Sequence, residues 1–385
     1  MRIGIEAQRL FRRKKHGMDI VALELIKGLQ RIDRENEYII FTKSGDDHCI
    51  DERENFKVVV TKDYPYPLWE QIILPFLVKK HNVDVLHCTS NTAPLFPLVP
   101  LVLTLHDIIF FDKNSAIWKG GNSYQRMGNQ YRRWIVPRVL KKSRLIITVS
   151  DWSKYEIQKY FGKINGKLVR VYNGIDESFS IQTNTSKLNR VKSRYGLPEN
   201  FLLFLGNTDQ RKNLRGVLSA YKLYLQNNPK HYVPLVITSL GEKEVFETLG
   251  RIEGEYLKDR IHLIGYVRSE DLNSLYSLAT AFLYPSFVEG FGLPILESMT
   301  CRTPVITSEI TSMPEIAGDA AILVNPYQPE DIADNIQKLL TDKNLYTSLI
   351  EKGAARVNHF SFLNMSKEIL GLYTEIKDMS SLSKA

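Results

Sequence analysis

Residues 280–297 read Thr280-Ala-Phe-Leu-Tyr-Pro-Ser-Phe-Val-Glu-Gly-Phe-Gly-Leu-Pro-Ile-Leu-Glu297. The apolar opening, Thr280 to Ser286, predicts a buried strand. The far end enters a helix whose expected first residue is Pro294, because proline's fixed φ and missing N–H suit that position. Between them Gly290 and Gly292 permit tight turning and let a ligand approach the backbone. Amides at a helix N-terminus form a site for phosphate or another anion. Glu289 falls in the loop and Glu297 one turn into the helix, where carboxylates accept hydrogen bonds from the hydroxyls of a sugar or a ribose. A glutamate in a first turn also serves simply to complement the helix dipole, so the stretch alone leaves both readings open. It is not a dinucleotide fingerprint, since Ile295 stands where the third glycine belongs. No phosphate-binding loop of the Gly-Lys-Ser/Thr type occurs in the chain.

Strand followed by helix recurs on both sides of this stretch. Upstream, β-rich apolar segments fall at 2–6, 38–42, 57–61, 83–88, 101–106, 145–149 and 169–171, with helical patterns such as 20–31 and 69–81 between them. After the polar run Ser180–Asn189, read as a linker spanning 181–199, the alternation restarts. Strands are expected at 201–205, 234–239, 261–264, 281–284, 304–307 and 321–324, and helices at 213–226, 269–279, 294–300, 329–340 and 343–357. Such alternation indicates parallel sheets covered on both faces. The expected class is therefore α/β: two Rossmann-like doubly wound domains, 1–180 and 200–360, facing across a cleft. A last amphipathic helix at 363–376 falls in the segment 361–385, which ends in a Ser/Lys tail.

The bulk numbers agree with this class. A chain of 385 residues, 43% hydrophobic and 24% charged, has the length for two or three globular domains. No apolar run approaches the roughly 18 residues of a membrane span. The N-terminus lacks a signal peptide's apolar core, since Glu6 interrupts it. Cys49, Cys88 and Cys301 form neither a disulfide pattern nor a zinc pattern, so a cytoplasmic location is expected. Charge is unevenly spread: residues 1–175 hold 29 Lys and Arg against 18 Asp and Glu, a net of +11. Residues 113–150 hold nine basic residues and no acidic one, with Trp118, Tyr124, Tyr131 and Trp134 interleaved. That face suits the inner surface of an anionic membrane, a phosphorylated lipid or nucleic acid, or is a solvated basic helix.

Three further motifs carry chemistry. Gly206-Asn207-Thr-Asp-Gln-Arg211-Lys212-Asn213 follows the first strand of the second half, with Asn213 as N-cap of the next helix. Arg211 can grip phosphate oxygens bidentately and Lys212 adds a compact charge, which suits a diphosphate; an ordinary capped helix with two solvated cations is the alternative. His106, in Leu103-Thr-Leu-His-Asp107, stands at the carboxyl end of a buried strand. It contacts a sugar hydroxyl or a leaving phosphate there, or else pairs with Asp107 or a backbone carbonyl. Gly17, after His16, allows close approach at another helix N-terminus. Asn173-Gly174 reads as a turn. The chain holds no Asp-x-Asp, no zinc-spaced His/Cys cluster and no Gly-x-Ser-x-Gly elbow, so the reading needs no metal and no cofactor.

In order, Gly206…Arg211-Lys212-Asn213, Gly265-Tyr-Val, Pro285-Ser…Glu289-Gly-Phe-Gly-Leu-Pro…Glu297, Pro304-Val-Ile-Thr and Pro314-Glu315 resemble the family 4 retaining glycosyltransferases, whose architecture is GT-B. Leu105-His106-Asp107, Val149-Ser150 and Asn173-Gly174-Ile175-Asp176 extend the resemblance into the first half. The family usually has a glycine pair in the N-terminal loop, where this chain has His16-Gly17. The resemblance implies a nucleotide-diphosphate sugar donor, with Arg211 and Lys212 on the diphosphate and Glu297 on the ribose. Glu289 and the amides of Gly290, Phe291, Gly292 and Leu293 would meet donor sugar and phosphate, Gly17, Gly206 and Asn207 would complete the donor site, and His106 would reach the sugar. The leaving diphosphate, rather than a protein nucleophile, would deprotonate the acceptor. Tyr66-Pro-Leu-Trp-Glu-Gln71 and the Leu-His-Asp context look most like mannosyltransferases that build surface polysaccharide on a glycan or lipid-linked acceptor. The alternatives are a two-domain nucleotide-sugar epimerase, or a nucleic-acid-binding protein using the face 113–144; no nucleic acid is expected on the first reading.

Overall fold

The computed structural model describes residues 1–112, 123–228 and 232–382. The described residues form two compact units: one gathers 1–112, 123–176 and 360–382, and the other falls within Glu177–His359.

In the first unit seven strands make one parallel sheet: β1 Arg2–Glu6, β2 Glu37–Lys43, β3 Phe56–Thr61, β4 Val85–Cys88, β5 Leu101–Thr104, β6 Leu145–Thr148 and β7 Lys167–Arg170. Their order across the sheet is β3-β2-β1-β4-β5-β6-β7. The register pairs Ile5 with Ile40 on one side of β1 and with His87 on the other. β4, β5 and β6 are buried along their whole length, as strands covered on both faces must be. The second unit holds β8 Leu202–Phe204, β9 Leu235–Thr238, β10 Ile261–Gly265, β11 Ala281–Tyr284, β12 Val305–Ser308 and β13 Ile322–Val324, in the order β10-β9-β8-β11-β12-β13. Both sheets are thus doubly wound: the order reverses between β1 and β4 in one, and between β8 and β11 in the other. In such sheets ligands bind beyond the carboxyl ends of the strands at the reversal.

Three local differences from the expectation are instructive. The stretch 181–199, expected as a linker, carries the helix Thr185–Tyr195, which packs against the helix Ser269–Leu278. Only Val191 of it is buried, so its sequence lacks an apolar stripe; Asn184 caps it and Gly196 ends it in the left-handed region. Second, the helix after Gly292 begins at Leu293, so Pro294 is its second residue, where a missing N–H is equally harmless. Third, the helical pattern over 69–81 is continuous from Tyr66 to Lys80 but contains a π-helical turn, Trp69–Ile73. The final helix, Phe362–Leu382, packs on the helix Gly17–Ile32 of the first unit. Its Tyr373 hydroxyl meets His87 Nδ1 at 2.5 Å beneath the sheet's centre.

Candidate functional site

In the second unit the two loops at the strand-order reversal come together. The loop after β8 is short of room: a Cβ on Gly206 would lie 2.3 Å from the Thr238 carbonyl oxygen, so only glycine lets this loop leave the sheet here. Asn207, exposed, accepts a hydrogen bond from the Asp209 amide at 2.9 Å. Asp209 in turn caps the turn Gln210–Lys212 through the Arg211 amide and holds Arg211 Nε at 2.7 Å. Asn213 then adopts φ 64°, caps the helix Leu214–Asn227, and donates through Nδ2 to the carbonyls of Pro285 and Pro326. Buried asparagine thereby ties the first loop to the second. The Phe287 amide, which donates to the Arg211 carbonyl at 2.8 Å, is a further tie between them.

These ties set Glu289 against both cations. Its carboxylate accepts from Arg211 Nη1 at 2.8 Å and from Lys212 Nζ at 2.6 Å. Burial by itself would raise the Glu289 pKa, but the two cations overrule it and hold the group down at about 2. Burial lowers the pKa of Lys212. Arg211 is moved up, because Glu289 and Asp209 outweigh burial. Lys212 also lies 4.8 Å from the centroid of the Tyr284 ring and donates to its hydroxyl at 2.9 Å. Glu289 is therefore an ionised internal counter-charge, and not a general acid at neutral pH. The two cations keep some exposure, 26% for the Arg211 side chain and 15% for Lys212. An incoming diphosphate would meet positive charge that is already fixed in place.

The rest of the quoted stretch forms the adjoining wall. Gly292 has φ 111°, a conformation only glycine adopts without strain, and precedes the helix Leu293–Thr300. Buried Ser312 holds the loop by donating to the carbonyls of Glu289 and Phe291, both at 2.9 Å. Gly290 and Phe291 are buried beside it. Glu297, half-buried on the first turns of that helix, accepts from the Tyr276 hydroxyl at 2.9 Å.

The structure thus brings together Gly206, Asn207, Arg211, Lys212, Glu289, Gly290, Phe291, Gly292, Leu293 and Glu297. Sequence reasoning missed Asp209, Tyr284 and Ser312. Asp209 was legible as a second possible cap two residues before Arg211; nothing near Ser312 marks it, because its partners are 21 and 23 residues away.

His106 and Gly17 belong to the first unit. His106 follows β5, is buried, and donates from Nε2 to the Thr89 carbonyl at 3.0 Å, while its amide donates to Asn91 Oδ1 at 2.7 Å. A backbone carbonyl only accepts, so Nε2 carries the proton. Burial lowers the ring's pKa, and the neutral ring then presents Nδ1 as an acceptor. Of the two structural partners expected for it, the backbone carbonyl is the one it takes. Gly17 opens the helix Gly17–Ile32 and is exposed; Asp19 accepts from the His16 amide at 3.0 Å. Among the described residues no group of three His, Cys, Asp or Glu side chains is placed to hold a metal ion, and no helix is long and apolar enough to cross a membrane. Of the basic segment, Lys113, Trp118 and Lys119 lie outside the described residues.

Two doubly wound domains, one with a paired-cation loop against a glycine-rich helix entry, define a glycosyltransferase of the GT-B architecture. The family models agree: residues 16–179 match Glycosyltransferase Family 4, and residues 186–356 match Glycosyl transferases group 1. The O-antigen chain mannosyltransferase B of Escherichia coli is 34% identical over 273 residues, 71% of this chain and 69% of that one. The chain belongs to glycosyltransferase family 4. It is also 29% identical over 248 residues to the serotype-specific mannosyltransferase WbdA of Escherichia coli, of whose length the match spans 30%. Among solved structures, sucrose-phosphate synthase of Thermosynechococcus elongatus superposes with TM-score 0.74 at 18% identity, covering 98% of this chain and 99% of that one. WaaG, a glycosyltransferase involved in lipopolysaccharide biosynthesis, does so with 0.69 at 16%, covering 95% and 98%. At such identities these two show the shared fold.

Proposed function

We propose that the protein transfers a hexose, mannose favoured, from a nucleotide-diphosphate sugar to a glycan or lipid-linked acceptor in surface polysaccharide biosynthesis, with retention of configuration. The observation that carries the reading is the ion triad of Glu289 with Arg211 and Lys212 at the strand-order reversal of the second domain. Cleavage of a sugar–diphosphate bond leaves negative charge on the diphosphate. Two cations held in place by a buried carboxylate stabilise that charge without moving or shedding water at the moment of reaction. With one such pair present the reading assigns no metal and no cofactor. Glu297 is assigned to the ribose hydroxyls, and the loop amides from Gly290 to Leu293 to phosphate and sugar. His106, as a neutral acceptor at Nδ1, is assigned to a hydroxyl of the transferred sugar. The departing diphosphate takes the acceptor's proton, so the protein's contributions are charge stabilisation and positioning. The mannosyltransferase relatives support the choice of sugar and of pathway class.

For the acceptor side, the helix Ser123–Leu140 supports contact with the cytoplasmic face of an anionic membrane. Met127 and Trp134 are exposed on it at 68% and 47%, and Arg138 stacks on Trp134 at 4.7 Å. Such a face has the aromatic and basic character of an interfacial helix. A thermal-shift screen against a panel of nucleotide sugars tests the donor, because a ligand that binds only the native state raises the midpoint. The mannose donor should give the largest shift, and transfer to an acceptor should follow in the presence of a chelator. No shift with any nucleotide sugar, or donor conversion without an acceptor, would sink the reading, the latter in favour of an epimerase.

A further inference from the structure

The stretch Tyr66–Gln71 does work in the first domain that the donor site leaves unexplained. The π-helical turn Trp69–Ile73 places the adjacent side chains of Glu70 and Gln71 toward one loop, residues 89–95, which follows β4. Such turns are rare and often mark functional positions. Glu70 is fully buried, and its carboxylate accepts from Tyr66, from Thr92 of the loop, from Gln71 and from Tyr131 of the helix Ser123–Leu140. Gln71 grips the same loop with both ends of its amide: Nε2 donates to the Ala93 carbonyl at 3.2 Å, and Oε1 accepts from the Leu95 amide at 2.8 Å. The other half of the loop belongs to His106. Thr89 accepts from its Nε2, and Asn91, held at φ 69°, accepts from its amide. Thr89 is itself anchored, donating from Oγ1 to the Glu6 carbonyl at 2.8 Å.

One short strap is therefore nailed at residues 92–95 by Glu70 and Gln71, and at 89–91 it holds the histidine. We propose that Glu70 and Gln71 are positioning residues for His106: by fixing the 89–95 strap they keep the Thr89 carbonyl on Nε2, and so keep Nδ1 as the acceptor. The proposal rests on the reading of His106 as a group that meets the transferred sugar. Neither Glu70 nor Gln71 touches substrate in this scheme. A carboxylate that satisfies three hydroxyl donors and an amide from neighbouring elements would serve stability alone equally well, so the test must read the ring itself.

The experiment uses the full chain labelled with nitrogen-15 histidine. The His106 ring signals are identified by their loss in His106→Gln, and are followed in wild type, Gln71→Ala, Glu70→Gln and Leu77→Ala. Leu77 is buried on the next turns of the same helix, and its apolar side chain has no group to hydrogen-bond the strap, so its truncation lowers stability and leaves those hydrogen bonds in place. In wild type the ring should show a protonated Nε2 and an unprotonated Nδ1. In Gln71→Ala and Glu70→Gln that pattern should give way to tautomer averaging. The mannosyl-transfer kcat should fall about tenfold or more while the donor KM stays within about twofold, since misplacement by about 1 Å costs on the order of a hundredfold. Leu77→Ala should lower the thermal midpoint and leave both the ring pattern and kcat in place. An unchanged tautomer in Gln71→Ala, or the same change in Leu77→Ala, overturns the proposal. Wild-type kcat in His106→Gln overturns the underlying role of His106 instead, and the ring spectra then judge the positioning independently of turnover.

Discussion

Replacing Glu289 by glutamine keeps the side chain's shape and removes its charge, which isolates the contribution of the ion triad. In the folded protein the carboxyl titrates at about 2, against an ordinary 4.5. At about 1.4 kcal/mol per pKa unit the difference amounts to about 3 kcal/mol of folding free energy at pH 7. The group is buried, so little of this is lost to solvent screening, and the figure falls within the range for breaking a buried pair by removing one partner. The folded value is depressed, so the stabilisation is complete above the unfolded pKa of 4.5 and disappears as pH falls toward 2. Linkage puts the loss at about 1 kcal/mol by pH 4 and about 2 kcal/mol by pH 3. Urea unfolding of wild type and Glu289→Gln at pH 7, 4 and 3 measures the gap directly. It should be near 3 kcal/mol at pH 7 and shrink by those amounts on acidification. Nucleoside diphosphate binding should also weaken in the variant, because the cations lose the group that aims them. Equal stability at pH 7, or a gap that does not narrow by pH 3, would refute Glu289 as the buried counter-charge.

Other expectations follow from the same geometry. Arg211→Ala with Lys212→Ala should weaken nucleoside diphosphate binding by about 2 kcal/mol or more, as lost charged hydrogen bonds do; unchanged affinity by calorimetry would remove both from the site. Asn213→Ala loses a helix cap, adopts φ 64° at a cost and strands the Pro285 and Pro326 carbonyls, together about 3 kcal/mol by urea unfolding. A loss below about 1 kcal/mol would show that the loops do not depend on it. His87 is held down at about 3 by burial and by nearby His106, so the folded protein resists its protonation and loses stability as pH falls below the ordinary 6.5. Linkage gives about 2 kcal/mol lost by pH 5, an acid slope that His87→Gln should remove. An identical slope in that variant would count against a neutral His87 between Tyr373 and Thr104.

The alternation of apolar strands with helices was enough to reveal two parallel α/β halves, because strands covered on both faces are apolar throughout and stand out from any surface segment. Among the described residues, each of the thirteen strands overlaps a segment that the pattern marks, the largest offset being Lys167–Arg170 against an expected 169–171. Where burial is slight the pattern fails: Thr185–Tyr195 reads as a polar linker because one residue of it, Val191, is buried. The glycines and prolines around Glu289 and the cations after β8 were equally legible, since turn geometry and phosphate chemistry demand those residue types locally. Strand order was not legible, because it depends on which strands pair across long separations. Only the tertiary structure sets β8 beside β11, and hence Arg211 and Lys212 against a carboxylate 78 and 77 residues away. That juxtaposition changes the chemistry of Glu289 from a free sugar ligand into a buried anion, since its pKa is set by neighbours in space that no local pattern encodes.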